Sequence, residues 1–149
     1  MYEFGARSEK KLATCHGILQ NAARCALKLL LIDIAAIYGH RSIAEQKKLY
    51  AIGRTVPGDI VTNVDGVNTL SQHNHFPSMA IDLAPWVNGQ VSYNTAHVCY
   101  MAGIVMAQLV NLCEKTPYKP RWGGNWDMDG EPVTDQLFND LLHFELRLI

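Results

Sequence analysis

Leu12, Cys15, Leu19, Ala22, Ala26 and Leu30 recur at three- and four-residue steps, the spacing of one buried helical face, and Ser8 stands where it can cap the helix that carries them. The next segment, Leu31 to Tyr38, is dense in Ile and Leu and stops at Gly39. That pattern predicts a buried strand, although its alanines also permit the helix to continue. In "SIAEQKKLYAIG", Ser42 and Glu45 form a capping box and Gly53 is placed to end a second helix.

From Arg54 to Ser71 the composition turns to Gly, Pro, Asp, Asn, Thr and Val, which predicts a long surface loop with a small hairpin at Asp65-Gly66. "MAIDLAP" reads as a short apolar strand that Pro85 terminates. A third helix is expected over Thr95 to Cys113, with Val98, Met101, Val105, Leu109 and Leu112 on its inner face. Beyond Pro117 and Pro120, "RWGGNWDMDGEP" is rich in turn formers, and "HFELRLI" closes the chain as a strand. Helices and short strands without regular βαβ alternation predict an α+β fold.

Composition narrows this further. A chain of 149 residues suits one domain, and 48% hydrophobic with 18% charged residues is the make-up of a globular protein. The formal charge of −1 is spread without runs, so no nucleic-acid footprint is expected. No apolar stretch is expected to approach the roughly 20 residues a membrane span needs; the longest, around Ala26 to Ile37, is interrupted by Lys28 and Asp33, and no membrane insertion is expected. The opening "MYEFGARSEKK" lacks the apolar centre of a signal peptide, which predicts synthesis and folding in a cytoplasm. Cys15, Cys25, Cys99 and Cys113 form no C-x-x-C unit and are expected to be small buried hydrophobes.

The chemistry concentrates in "SQHNHFPSMAIDLAPW". A catalytic zinc takes three ligands from His, Asp, Glu or Cys and keeps a position open. Residues 71 to 82 offer His73, His75 and Asp82, and the distant "DLLHFEL" offers Asp140, His143 and Glu145. Any one of these is more simply a solvated turn residue. Asp82 is harder to dismiss, because an acid between Ile81 and Leu83 is expensive to bury unless paired or metal-bound. In an extended segment Asp140 and His143, three apart, would not share a face, which puts Asp140 on the turn leading in.

Four segments in order, "SQH", "PSMAIDLAP", "RWGGNW" and "DLLHFEL", resemble the zinc peptidases that cut peptidoglycan stem peptides. That group includes D-alanyl-D-alanine carboxypeptidases, vancomycin-resistance dipeptidases and phage L-alanyl-D-glutamate endopeptidases. The likeness is densest to the short phage endolysins. It extends to "FGARSEKKLATCHGILQNAARCAL" and "GHRSIAEQKKLYAIGRTVPG", and so to nearly the whole chain.

The resemblance implies a single Hedgehog/DD-peptidase-like domain, a small antiparallel sheet with helices packed on it and no wall-binding module. It implies Zn2+ held by Asp82, His143 and one of two histidines. A six-residue spacing to Asp82 selects His75, whereas the S-x-H signature selects His73, the choice preferred here. Asp140 becomes the general base, Arg41 a group that holds and polarises substrate, and Ser71 and Trp122 substrate contacts. Glu145 becomes a residue that orients a ligand. The implied partner is the peptidoglycan stem peptide, with the protein a monomer. The implied setting is the host bacterial cytoplasm, followed by action in the periplasm or cell wall after holin-dependent release. The alternatives are a D-alanyl-D-alanine carboxypeptidase or dipeptidase, or a wall-binding module without catalysis.

Overall fold

The computed structural model describes residues 1–29 and 31–149. Leu30, assigned to the first helical stripe, lies outside them. The single N-terminal helix expected from that stripe is two helices, α1 (Ala6–Leu12) and α2 (Gly17–Lys28). The break follows from what residues 14–16 must do. Ser78 N–H donates to the Thr14 carbonyl (2.8 Å) and His16 N–H to that of Ser78 (2.9 Å), so this backbone is committed to another segment. His16 Nδ1 then caps α2 by accepting from Ile18 N–H. Ser8 is no cap. It is buried inside α1, where its Oγ accepts from Ala36 N–H at 3.1 Å. Leu12, Cys15, Leu19, Ala22 and Ala26 nonetheless all face the core.

The strands are β1 (Asp33–Tyr38), β2 (Ala80–Val87), β3 (Gln90–Val91), β4 (Tyr118–Gly123) and β5 (Asp140–Leu148). All pairings are antiparallel, in the order β1-β2-β5-β4, with β3 folded back on β2. The β2–β3 hairpin turns through Asn88 and Gly89, both at positive φ, as a tight two-residue hairpin loop requires. β4 falls where only turns were expected. Its Pro120 cannot donate to a ladder, and it is tolerated because β4 is an edge strand.

The helix following β1 is α3 (Ile43–Ala51), opened by the expected capping box: Ser42 Oγ accepts from Glu45 N–H, and Glu45 accepts from Ser42 N–H. Gly53 follows at φ +76. Residues 54–71 form the expected loop, but Asp65-Gly66 makes no hairpin. Asp65 Oδ1 instead accepts from the N–H groups of Val67, Asn68 and Thr69, an Asx turn that competes with strand pairing.

The last helix, α4 (Thr95–Cys113), is capped by Asn94, whose Oδ1 accepts from Ala96 and His97 N–H. The expectation that no stretch approaches a membrane span is corrected here, since α4 is long and apolar enough by length and composition. Of its inner stripe, Met101, Val105 and Leu109 are buried in one core with the small residues of α2 and with Leu83, Phe144 and Leu146 of the sheet, and Val98 is buried as well. Alternation along β5 sends Phe144 and Leu146 into that core and leaves His143, Glu145 and Arg147 on the opposite face. That face carries the chemistry.

Candidate metal and active site

Asp82 and His143 are directly paired across β2 and β5, 61 residues apart in sequence but cross-strand neighbours on one face. His73 arrives from a short 3-10 turn, Gln72–Asn74, capped at both ends of its first bond. Ser71 Oγ accepts from His73 N–H, and Asn74 Oδ1 accepts from Ser71 N–H. His73 Nε2 then lies 3.2 Å from Asp82 Oδ1 and 3.2 Å from His143 Nδ1, and the latter lies 3.3 Å from Asp82 Oδ1. Both imidazoles are buried and Asp82 is partly so.

The far nitrogens decide what those near ones can do. His73 Nδ1–H donates to the Gly39 carbonyl at 2.7 Å, leaving the Nε2 lone pair facing the cluster. His143 Nε2–H donates to Glu145 Oε2 at 2.8 Å, leaving the Nδ1 lone pair there. With both rings neutral, two lone pairs and a carboxylate oxygen thus converge without a donor among them. This is an arrangement suited to a metal ion, in which the outer partner of each histidine fixes its tautomer.

In the metal-free cluster, protons take the ion's place among these atoms. Burial would raise the Asp82 carboxyl, but hydrogen bonds from His143 and His73 outweigh it and hold the group far below the usual carboxylate range. Burial opposes charge on His143, yet its bonds to Asp82 and Glu145 carry its pKa up to about 9 without a metal. Glu145 is held low against its own burial by His143 and by Arg121. Arg121 grips Glu145 Oε1 through Nε (2.8 Å) and Nη2 (2.6 Å), and its guanidinium lies 5.0 Å from the Trp126 ring. The Trp126 ring in turn sits 5.5 Å from that of His143. Arg121 and Trp126 belong to "RWGGNW", a motif that by itself assigns Arg121 no role. Their signal in the sequence was only the motif itself.

The cluster opens into a cleft of about 700 Å³ that also receives Arg41, Ser71, Trp126, Asp140 and Arg147. A larger apolar groove of about 890 Å³ between α4 and β4 contains none of the three clustered residues. Asp140 begins β5 rather than preceding it, and burial, followed by the charge of Asp82, raises its pKa. It reaches the cleft because β4 and β5 slip out of register: Trp122 faces Phe144, but Gly123 faces Asp140. Only a glycine fits at 123, since a Cβ there would sit 2.1 Å from the Asp140 carbonyl oxygen.

Arg41 lies against the Tyr38 ring and donates from Nη1 to Gln46 Oε1 at 3.0 Å. Its backbone N–H donates to the His73 carbonyl at 2.8 Å, tying it to the turn that bears the histidine. Trp122 is not in the cleft. It is buried in the core, and its Nε1–H donates to the Leu141 carbonyl, so Trp126 is the tryptophan that lines the site. His75 is exposed and outside the cluster, where its carbonyl contacts His40 Nδ1. The four cysteines are unpaired, Cys15 and Cys113 buried and the other two half-buried. Asp127 and Asp129 of "DMDGE" gather with Asp135 in an exposed group of acids.

The chain is 29% identical over 130 residues to the L-alanyl-D-glutamate peptidase of Escherichia phage T5, an alignment covering 87% of this chain and 85% of that one. In fold it is similar to the crystal structure of Serratia marcescens L-Ala D-Glu endopeptidase ChiX. That comparison has a TM-score of 0.63 over 97% of this chain and 90% of that one, at 23% identity. Residues 1–147 match the family described as phage L-alanyl-D-glutamate peptidase, so the chain belongs to that family of peptidases.

Proposed function

We propose that this peptidase hydrolyses the L-alanyl-D-glutamate bond of peptidoglycan stem peptides with a zinc ion held by His73, Asp82 and His143. The carrying observation is the convergence of two imidazole lone pairs and one carboxylate oxygen within 3.3 Å of one another. Two nitrogens and an oxygen, each imidazole braced on its far side, are the donor set of catalytic zinc. Bound there, zinc would supply Lewis acidity, lowering the pKa of water and polarising a carbonyl.

The chain's own residues do the rest. Asp140, in the cleft with its pKa raised towards the working range of a base, takes the proton of the attacking water and returns it to the leaving amine. Arg41, held by Gln46 and Tyr38, presents a fixed cation to the carbonyl oxygen as charge develops on it. Ser71 spends its acceptor on His73 N–H and keeps its hydroxyl proton for substrate. Family membership supports a wider role as an endolysin, made in the host cytoplasm, released through a holin pore and acting on the wall.

The test is digestion of purified peptidoglycan, with new termini identified by mass spectrometry. New N-terminal D-glutamate, abolished by a chelator and restored by zinc, is the expected result. Released D-alanine instead would make this a terminal carboxypeptidase, and turnover indifferent to chelation would remove the metal from the mechanism.

A further inference from the structure

We propose that Gln46 is a positioning residue that aims the Arg41 guanidinium into the cleft and fastens it to the cleft wall at residues 62–66. The inference rests on the reading of Arg41 as a substrate-facing group. Gln46 is the one buried residue of α3, at 0% exposure, on a helix whose other residues are exposed or half-buried. A polar side chain so placed is costly unless its atoms are paired. Its amide is paired at both ends. Oε1 accepts from Arg41 Nη1 at 3.0 Å, and Nε2 donates to the Val64 carbonyl at 2.8 Å and makes a longer contact of 3.4 Å to Thr62 Oγ1.

The local sequence explains the pairing. Ser42 is the N-cap of α3, so Arg41 and Gln46 occupy the positions just before the cap and four residues into the helix. In many helices those two positions hold apolar side chains that staple the entering chain to the first turn. Here the staple is an arginine and a glutamine, and it fixes a cation instead of burying methyls. Among the described residues, Gln46 is the only hydrogen-bond partner of the Arg41 side chain, whose Nε is buried and unpaired.

The wall is pressed onto the same amide. Gly66 sits at φ +74, and a Cβ there would come within 2.8 Å of Gln46 Cγ, so the loop backbone rests directly on this side chain. Val64, Thr62 and Arg41 all line the cleft. One buried amide therefore sets the distance between the cation and the wall facing it.

The two ends of the amide can be tested separately. Gln46→Glu keeps an acceptor for Arg41 and loses the donor to Val64. Gln46→Lys keeps a donor and sets a cation against Arg41. In zinc-loaded protein with parental metal content and circular dichroism, kcat/KM should be about 10–100-fold lower for Gln46→Lys than for Gln46→Glu. In an Arg41→Ala background that difference should vanish, since a residue acting through Arg41 has nothing left to position. A difference that persists without Arg41, or equal losses in both variants, overturns the proposal and makes Gln46 a packing residue. Full activity in Arg41→Ala alone overturns the reading of Arg41 and this inference with it. Should Gln46→Lys not fold, Gln46→Met, which has no donor and only a weak sulfur acceptor, takes its place in the same comparison.

Discussion

Replacing Arg121 by Met isolates the chain of charge that ends on His143. Arg121 and Glu145 are cross-strand partners whose side chains are 19% and 5% exposed, so the pair is largely buried. Removing one partner of a buried pair costs about 3–5 kcal/mol where the other charge is left unpaired, and here Glu145 keeps only its bond from His143. The guanidinium edge is reached by water, so screening reduces this to about 2–3 kcal/mol. At about 2–4 °C per kcal/mol for a chain of this size, the melting temperature should fall by about 4–12 °C in a chelated sample. The same substitution frees Glu145, which holds the His143 tautomer, and loosening such an outer partner weakens metal binding by about 10–100-fold. Competition against a chromophoric zinc chelator measures that loss. The double variant Arg121→Met/Glu145→Leu separates the effects: replacing the pair by apolar groups should restore part of the stability, less about 1–3 kcal/mol for the buried His143 Nε2–H that loses its acceptor, but none of the zinc affinity. A single variant that melts within about 1 °C of the parent and binds zinc equally well would refute the reasoning, as would zinc affinity restored in the double variant.

His73→Ala should abolish zinc binding while His75→Ala retains it, because His75 is exposed and outside the cluster; equilibrium dialysis with metal analysis decides, and the reverse order would exchange their roles. Asp140→Asn should keep the metal and lose about 10²–10⁴-fold in kcat, the usual contribution of a general base, and undiminished turnover would assign the proton to another group. In chelated protein the raised pKa of His143, about 9, contributes stability that is complete below the ordinary histidine value and is lost as pH rises towards 9. The depressed Asp82 and Glu145 contribute stability that is lost as pH falls through the carboxylate range. Thermal melts of the chelated protein should therefore peak on the mildly acidic side of neutrality, and a melting temperature still rising from pH 7 to 9 would contradict this. Gly39→Ala would set a Cβ 2.5 Å from the Lys11 carbonyl oxygen, beside the carbonyl that holds His73. A loss of about 1–3 kcal/mol, together with weaker zinc binding, is expected from denaturation and dialysis.

What could be read in advance was what one segment dictates to itself. The Ser42 box, the apolar stripe of α4 and the cost of an acid between Ile81 and Leu83 are local, and each stands in the structure as its pattern implied. The N-terminal stripe was local too, but its helix breaks because Ser78, over sixty residues away, claims the backbone of Thr14 and His16. Turn chemistry divides in the same way. Asn88-Gly89 is a strong hairpin signal and does turn β2 onto β3, whereas Asp65-Gly66 resembles one but is overruled by the Asp65 side chain. β4 was hidden by Pro117 and Pro120, since proline argues against a strand unless its edge position is known, and edge position is a property of the sheet.

The placement of Asp140 is the sharpest case of the same limit. Strict alternation along β5 would turn a residue three before His143 away from it, and on that ground Asp140 was expected outside the strand. It is inside, because the β4 register slips between Trp122 and Gly123 and the stretch from Asp140 to His143 departs from regular pairing with β4. The slip needs a residue without a side chain where the two backbones nearly touch, and Gly123 supplies it. Gly124 is confined in a similar way by the Trp122 ring, which a Cβ there would enter at 2.4 Å. In "RWGGNW", then, Trp122 and the two glycines shape the strand junction, while Arg121 and Trp126 reach the site. The motif carries both, and Trp122, a substrate contact by the resemblance, lies in the core outside the cleft. An adjacent pair of glycines beside a buried tryptophan signals a close approach of backbone. Which backbone approaches is information that only the pairing of β4 with β5 contains.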